Sequence, residues 1–301
     1  MTHLLSALWQ GAAIALAAAA LLRGRRTLSA ATRHAVWLVA LVAVAALTTH
    51  HVVQGLAAVP DLRPPRLAMD AAAPNAAALA LPAAPVWTMA ALAVVWAAVT
   101  FASVMRLIRG FLALTRIRRH ARPLPTELAA ALRFWNRRPA ATRTAALMVC
   151  DRVGGACAVG LSRRPMIVLS PALVRSLDAA ALDQIVMHEH AHLVRRDDWT
   201  QALEQCVLAV FGLHPAVRYL ARRLDADREM ACDDRVVALT GSAAAYATCL
   251  ARAAETAAAP AWSTALVTNA AGRGTLVARV QRLLDGTVNR APRIQRLALA
   301  T

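Results

Sequence analysis

Lysine is absent from the 301-residue sequence, so all 34 basic residues are arginine. Acid is scarce beside them: 17 Asp and Glu leave a net charge of +17. Aromatic residues make up only 4% of the chain. No helix-turn-helix pattern and no interleaving of aromatic with basic residues accompanies the charge, which argues against direct nucleic-acid binding. Anionic lipid at a membrane face is the remaining natural partner for so basic a chain. The five cysteines (150, 157, 206, 232 and 249) form no C-x-x-C and no disulfide-scaffold spacing, and their odd number suits a reducing compartment. There is no internal repeat. What abounds is apolar: 58% of residues are hydrophobic, too many for an ordinary soluble domain.

Three runs absorb that excess. Residues 4–22 are almost uninterruptedly apolar and long enough to cross a bilayer. Arg23, Arg25 and Arg26 follow this run rather than precede it, the wrong polarity for a secretory signal. A second run, 35–56, becomes polar at Thr48, Thr49, His50 and His51, which reads as an interfacial end rather than a metal pair. The third is 86–108, with Trp87 near one end where an interfacial aromatic belongs. Between the second and third lies 57–85, a Pro- and Ala-rich loop of balanced charge. Arginines crowd the loop after the first run and the segment after the third. Positive-inside therefore predicts an external N-terminus and a cytoplasmic chain from the third run onward. A transmembrane region over 1–120 and a globular domain over 121–301 follow.

The domain is organised around Met187-His188-Glu189-His190-Ala191-His192-Leu193, an H-E-x-x-H in a helix that Ser176 or Asp178 can cap. Residues four apart share a helix face, so His188 and His192 can hold one Zn²⁺ at about 2.0–2.1 Å each. Glu189 is placed to act on a bound water without being a ligand, and His190 points away. A catalytic zinc needs a third protein donor. Glu229, on a later helix 37 residues after His192, is the candidate. Asp233, one turn on, can accept a ring N–H from a liganding histidine. The bland alternative for both acids is a solvated face paired with Arg222 or Arg223.

Around this core the sequence predicts a helix at 126–138 after the breakers Pro123 and Pro125. Short strands are expected at 145–150, Ala156–Val159 and Met166–Leu169, then helices at 199–213, from Pro215 to Thr240, at 243–258 and at 275–284. The whole is a mainly α membrane protein: a three-span helical bundle followed by an α+β domain with a small sheet.

These features resemble the BlaR/MecR-type membrane metallopeptidases of the gluzincin group. The likeness rests on His188-Glu189-x-x-His192 with Arg195 and Asp197, on Phe211-Gly-Leu-His214-Pro215, on Glu229-x-x-Cys232-Asp233, and on three spans before a cytoplasmic domain. It implies a bacterial inner-membrane protein with Zn²⁺ on His188, His192 and Glu229, Asp233 behind a ligand, and Glu189 as general base. It further implies that Ala156–Val159 lines the cleft and pairs with substrate backbone. The implied substrate is a BlaI/MecI-type repressor or the protein itself, with 259–274 a candidate self-cleavage loop, and a homodimer is compatible. The family's β-lactam receptors carry, beyond a fourth span, a penicillin-binding module with a Ser-x-x-Lys nucleophile. Lacking lysine, this sequence is expected to lack that module. No fourth span is read, which leaves open a natural short form or a piece of a longer chain. His214, Tyr219 and Tyr246 are candidate oxyanion donors, each more readily structural. A scaffold with a purely bracing zinc, closed for instance by Cys232, is the competing reading.

Overall fold

The computed structural model describes residues 2–24, 28–57, 86–139, 142–256 and 272–286. The loop at 57–85 but for its first residue, and the candidate self-cleavage loop but for its last residues 272–274, lie outside them. Three long apolar helices come first: α1 (Thr2–Arg23), α2 (Ala30–Ala57) and α3 (Val86–His120). All three are long and apolar enough to cross a membrane. α3 outruns the expected 108 because nothing breaks the helix before Pro123.

A four-stranded sheet follows, ordered β1-β2-β4-β3, from β1 (Arg122–Pro123), β2 (Ala146–Val149), β3 (Ala156–Val159) and β4 (Met166–Leu169). β2 and β4 run parallel, and β3 pairs antiparallel to β4 with Ala156 opposite Leu169. β3 is therefore an edge. The expected helix at 126–138 is in fact two, α4 (Thr126–Ala131) and α5 (Arg133–Asn136), broken at the fully buried Leu132. The break is offset from outside the segment. The buried Asp183 carboxylate accepts from Phe134 N at 2.7 Å and Trp135 N at 3.0 Å, satisfying amides that a helix start leaves open.

The remaining helices are α6 (Pro171–Ser176), α7 (Ala179–Arg195), α8 (Asp197–Phe211), α9 (Pro215–Thr240), α10 (Ala243–Thr256) and α11 (Gly272–Leu284). The core of the domain gathers Leu182, Ile185 and Val186 of α7 with Ile167 and Leu169 of β4 and Val236 of α9. A second core departs from the expected bundle. α1 and α2 pack not on α3 but on α9, through Leu41, Val44, Val217, Leu220 and Leu224. α3 lies against α8 instead. Helices drawn from beyond residue 120 thus complete the bundle, because α1 and α2 bury a stripe of small residues, Ala15, Ala18 and Ala19, that admits a third helix closely.

Candidate metal centre

Asp178, not Ser176, caps α7, its side chain accepting from Ala181 N at 2.8 Å. Seventeen helical residues then carry His188 and His192 on one face, ring centroids 4.9 Å apart and nearly perpendicular. α7 stops at Arg196, the one described non-glycine residue with positive φ (59°). That left-handed corner starts α8 immediately and brings Asp197 back beneath the helix end, where its Oδ2 lies 2.9 Å from His192 Nδ1.

α9 supplies the rest. Glu229 Oε2 lies 3.5 Å from His188 Nε2, and Glu229 Oε1 lies 3.7 Å from His192 Nε2. The three donors all fall within 4.8 Å of one another. Donors around one tetrahedral zinc stand roughly 3.4 Å apart, so this set needs only a small contraction to close on a divalent cation. The two nitrogens facing Glu229 are both Nε2, because both Nδ1 atoms are engaged elsewhere. His188 Nδ1 lies 2.9 Å from Tyr246 Oη and 3.3 Å from Asp233 Oδ1, and Tyr246 donates its hydroxyl to Asp233 at 2.9 Å. With Nδ1 of each ring engaged in this way, Nε2 is the nitrogen left to face Glu229 and, in the neutral ring, to bind a metal.

One cation ties the acids together. Arg279 of α11 grips Asp233 with Nε at 2.8 Å and Nη2 at 2.7 Å, and reaches Glu229 Oε2 with Nη1 at 2.9 Å. Arg222 and Arg223, the alternative partners, are exposed on α9. Burial would raise Glu229, but Arg279 and the two imidazoles hold it well below the usual carboxylate range. Its side chain keeps 32% of its surface open, so the carboxylate can be reached from solvent. Burial pushes Asp233 up, and Arg279 and His188 more than reverse this. Tyr246 is driven well above its ordinary value by burial and by Asp233, and stays a proton donor. Burial depresses His188, but Asp233 and then Glu229 lift it to about 9. The cluster therefore draws positive charge to this edge of the ring, where a metal cation and a proton compete.

Glu189 is half-buried on the same helix, close enough to Cys157 of β3 that its charge, after burial itself, pushes that thiol up. The helix that carries it packs against the edge strand. His190 is turned away, Nε2 3.0 Å from Arg143 O and its ring edge-on to Trp135. Cys232 touches His192 only on the Nδ1 edge, Sγ at 3.4 Å, opposite the nitrogen that faces Glu229. Burial and the charge of Asp197 push its thiol well up, so it sits there as a neutral hydrogen-bonding group. A further metal-capable trio, His192, Asp197 and Cys232, shares that edge, and Arg195 Nε already occupies Asp197 at 3.1 Å.

Of the candidate oxyanion donors, Tyr246 is fully buried behind His188, while Tyr219 lies against Trp37 far from the cleft. His214 caps α9, accepting from Ala216 N at 3.2 Å. Sequence reading missed Asp197, Tyr246 and Arg279 as partners of the ligands. Asp197 alone carried a signal, an acid one turn past the second histidine. The other two arrive from α10 and α11 with nothing local to mark them.

No individually curated protein matches the chain. Residues 2–283, from the first apolar helix to the end of α11, match the family described as BlaR1 peptidase M56, and the chain belongs to that family of membrane metallopeptidases.

Proposed function

We propose that this protein is an integral-membrane zinc endopeptidase that cuts a cytoplasmic repressor of the BlaI/MecI type, itself, or both. His188, His192 and Glu229 would hold the ion. The single observation behind this reading is that two Nε2 atoms and one carboxylate converge while each imidazole's other nitrogen is held by acids or by a phenol tied to one. Bound zinc would supply Lewis acidity to a scissile carbonyl and acidify water.

The chain's own residues perform the rest. Glu189 takes the proton of the attacking water and returns it to the leaving amine. β3, an unpaired edge beside Glu189, offers backbone groups to an extended substrate. Asp233 and Tyr246 hold His188 in register, Asp197 holds His192, and Arg279 keeps Glu229 ionised and oriented. The Arg-rich ends of the three spans would face the cytoplasm, with the N-terminus outside.

A bracing zinc would need a fourth protein donor, and Cys232 lies on the wrong edge of His192 to serve. Glu189→Gln is expected to lower cleavage of a co-expressed repressor by about 10²–10⁴-fold with metal content intact. Unchanged cleavage would end the proposal, as would full metal retention in His188→Ala.

A further inference from the structure

The α8–α9 hairpin packs on the spans at a depth that can be measured along each of them. Its tip is His214. A side chain on Gly11 of α1 would place its first carbon 2.6 Å from the His214 ring and 3.2 Å from Val44 of α2, so these three residues meet at one point. His214 Nδ1 accepts from Ala216, which leaves Nε2 to donate to Ala7 O, 3.2 Å away and also on α1. On the other side, Trp96 of α3 donates to Val210 O at 2.9 Å.

Each contact lies well in from the Arg-rich end of its span. Val44 lies three turns beyond Arg33, about 16 Å at 1.5 Å per residue. Gly11 lies about 18 Å before Arg23, and Trp96 about 15 Å before Arg106, on the same rise. The three distances agree, and they equal half the roughly 30 Å apolar thickness of a bilayer. The base of the hairpin is pinned at the surface. Asp227 accepts from Arg33 and, at 2.9 Å, from Trp37, both near the start of α2.

The open face of α8 has the composition this depth demands. Its exposed positions are Trp199, Leu203, Cys206 and Val210, continued by Leu213, a stripe at helical spacing with no charge in it. Every acid on α8 is turned inward: Asp197 to His192, Asp198 to Arg143, Glu204 to Arg228. A helix on a water-facing surface has the opposite pattern. The open side of α9 differs, carrying Arg218, Arg222 and Arg223. Arg222 and Arg223 lie about 12–14 Å back from the tip, near the Arg-rich end, and Arg218, about 6 Å back, must extend its side chain toward that end.

We infer that α8 and α9 form a re-entrant hairpin, inserted to mid-bilayer from the Arg-rich side, with the α8 stripe in contact with lipid acyl chains. The inference rests on α1–α3 crossing the membrane and not on catalysis. It places Glu229, two residues past Asp227, at the membrane surface, so the candidate cleft opens there.

Cys206 is a native probe, since the other four cysteines are buried. The wild-type protein carries a nitroxide on Cys206 in vesicles of phosphatidylcholine and phosphatidylglycerol, and collisions with oxygen and with a water-soluble nickel chelate are compared by power saturation. A label at Leu92→Cys, exposed on α3 and introduced together with Cys206→Ser, marks the acyl region. The expected result is oxygen-dominated relaxation at both sites. Nickel-dominated relaxation at Cys206 with an oxygen-dominated Leu92→Cys would overturn the hairpin alone. Weak collision with both agents at Cys206 would also overturn it, because protein would then cover the face. A nickel-dominated Leu92→Cys would remove the spans and the hairpin together. None of these readings depends on proteolysis.

Discussion

Helix α9 changes neighbours along its length. Its first half, from Pro215 to Asp227, lies against α1 and α2 through Val217, Leu220 and Leu224. Its second half turns Glu229 and Asp233 to α7, α10 and α11. The first half is held by close approach, a histidine seated on a glycine. The second is held by charge, one arginine against two carboxylates. A single helix joins them, so the candidate ligand Glu229 is positioned by the contacts of the first half as much as by those of the second. Damage to either half should reach the site, and by different amounts.

The largest effect is expected from Asp233→Ala. It leaves Arg279 and His188 buried without their acid, a loss of about 3–5 kcal/mol by analogy with broken buried ion pairs. Metal affinity should fall about 10–100-fold, as when an acid behind a liganding histidine is removed. Denaturant unfolding and metal titration measure the two. A variant as stable and as metal-loaded as wild type would mean the second half is not organised by Arg279 and Asp233.

Next is Gly11→Leu, which strikes only the first half. Overpacking at the His214 contact should cost about 1–3 kcal/mol. Zinc affinity and cleavage should both drop, by less than in Asp233→Ala, because α9 carries Glu229 with it when it shifts. Unaltered thermal unfolding in detergent would show that the tip is not seated as described.

The third is a pH effect confined to the second half. Folding raises His188 from 6.5 to about 9, Asp233 and Glu229 overcoming burial. In chelator-treated protein that stabilisation is complete below about pH 6.5 and disappears as pH rises through about 9. Between about pH 7 and 9.5 the melting temperature should therefore fall in chelator and not in zinc, whose binding needs the neutral imidazole. Equal slopes in the two conditions would contradict it.

The smallest effect is at the corner between α7 and α8. Arg196→Gly relieves a left-handed conformation that costs an L-residue about 1–2 kcal/mol, less the extra entropy glycine loses on folding. A net gain of up to about 1 kcal/mol with unchanged cleavage is expected. Destabilisation would mean the Arg196 side chain has a role beyond the turn.

Much of the site was legible before any fold. His188 and His192 are one turn apart on a helix whose cap, Asp178, and apolar stripe are all local. Glu229 could be proposed from the chemistry of zinc, which needs a third donor. Tyr246 and Arg279 could not, because they reach His188 and Asp233 only once α10 and α11 have folded over α7 and α9. Local periodicity also misread one element. The helix expected at 126–138 is split at Leu132 by a carboxylate 49 residues downstream of Phe134. α9 runs from Pro215 to Thr240 as expected, but nothing local showed that Arg33, Trp37 and Glu204 would surround Asp227 and Arg228.

The sequence alone determined what depends on neighbours a few residues away: three helices apolar enough to cross a bilayer, a capped helix with paired imidazoles, and a short strand at Ala156–Val159. Tertiary structure decided which nitrogen of each histidine faces the cleft, which cation restrains the acids, and how far α8 and α9 descend among the spans. The division is physical. Helix periodicity and capping are short-range properties of the chain, whereas the partner of a buried charge is chosen by proximity in space, and a charged helix can enter an apolar layer only when another helix brings the counter-charge.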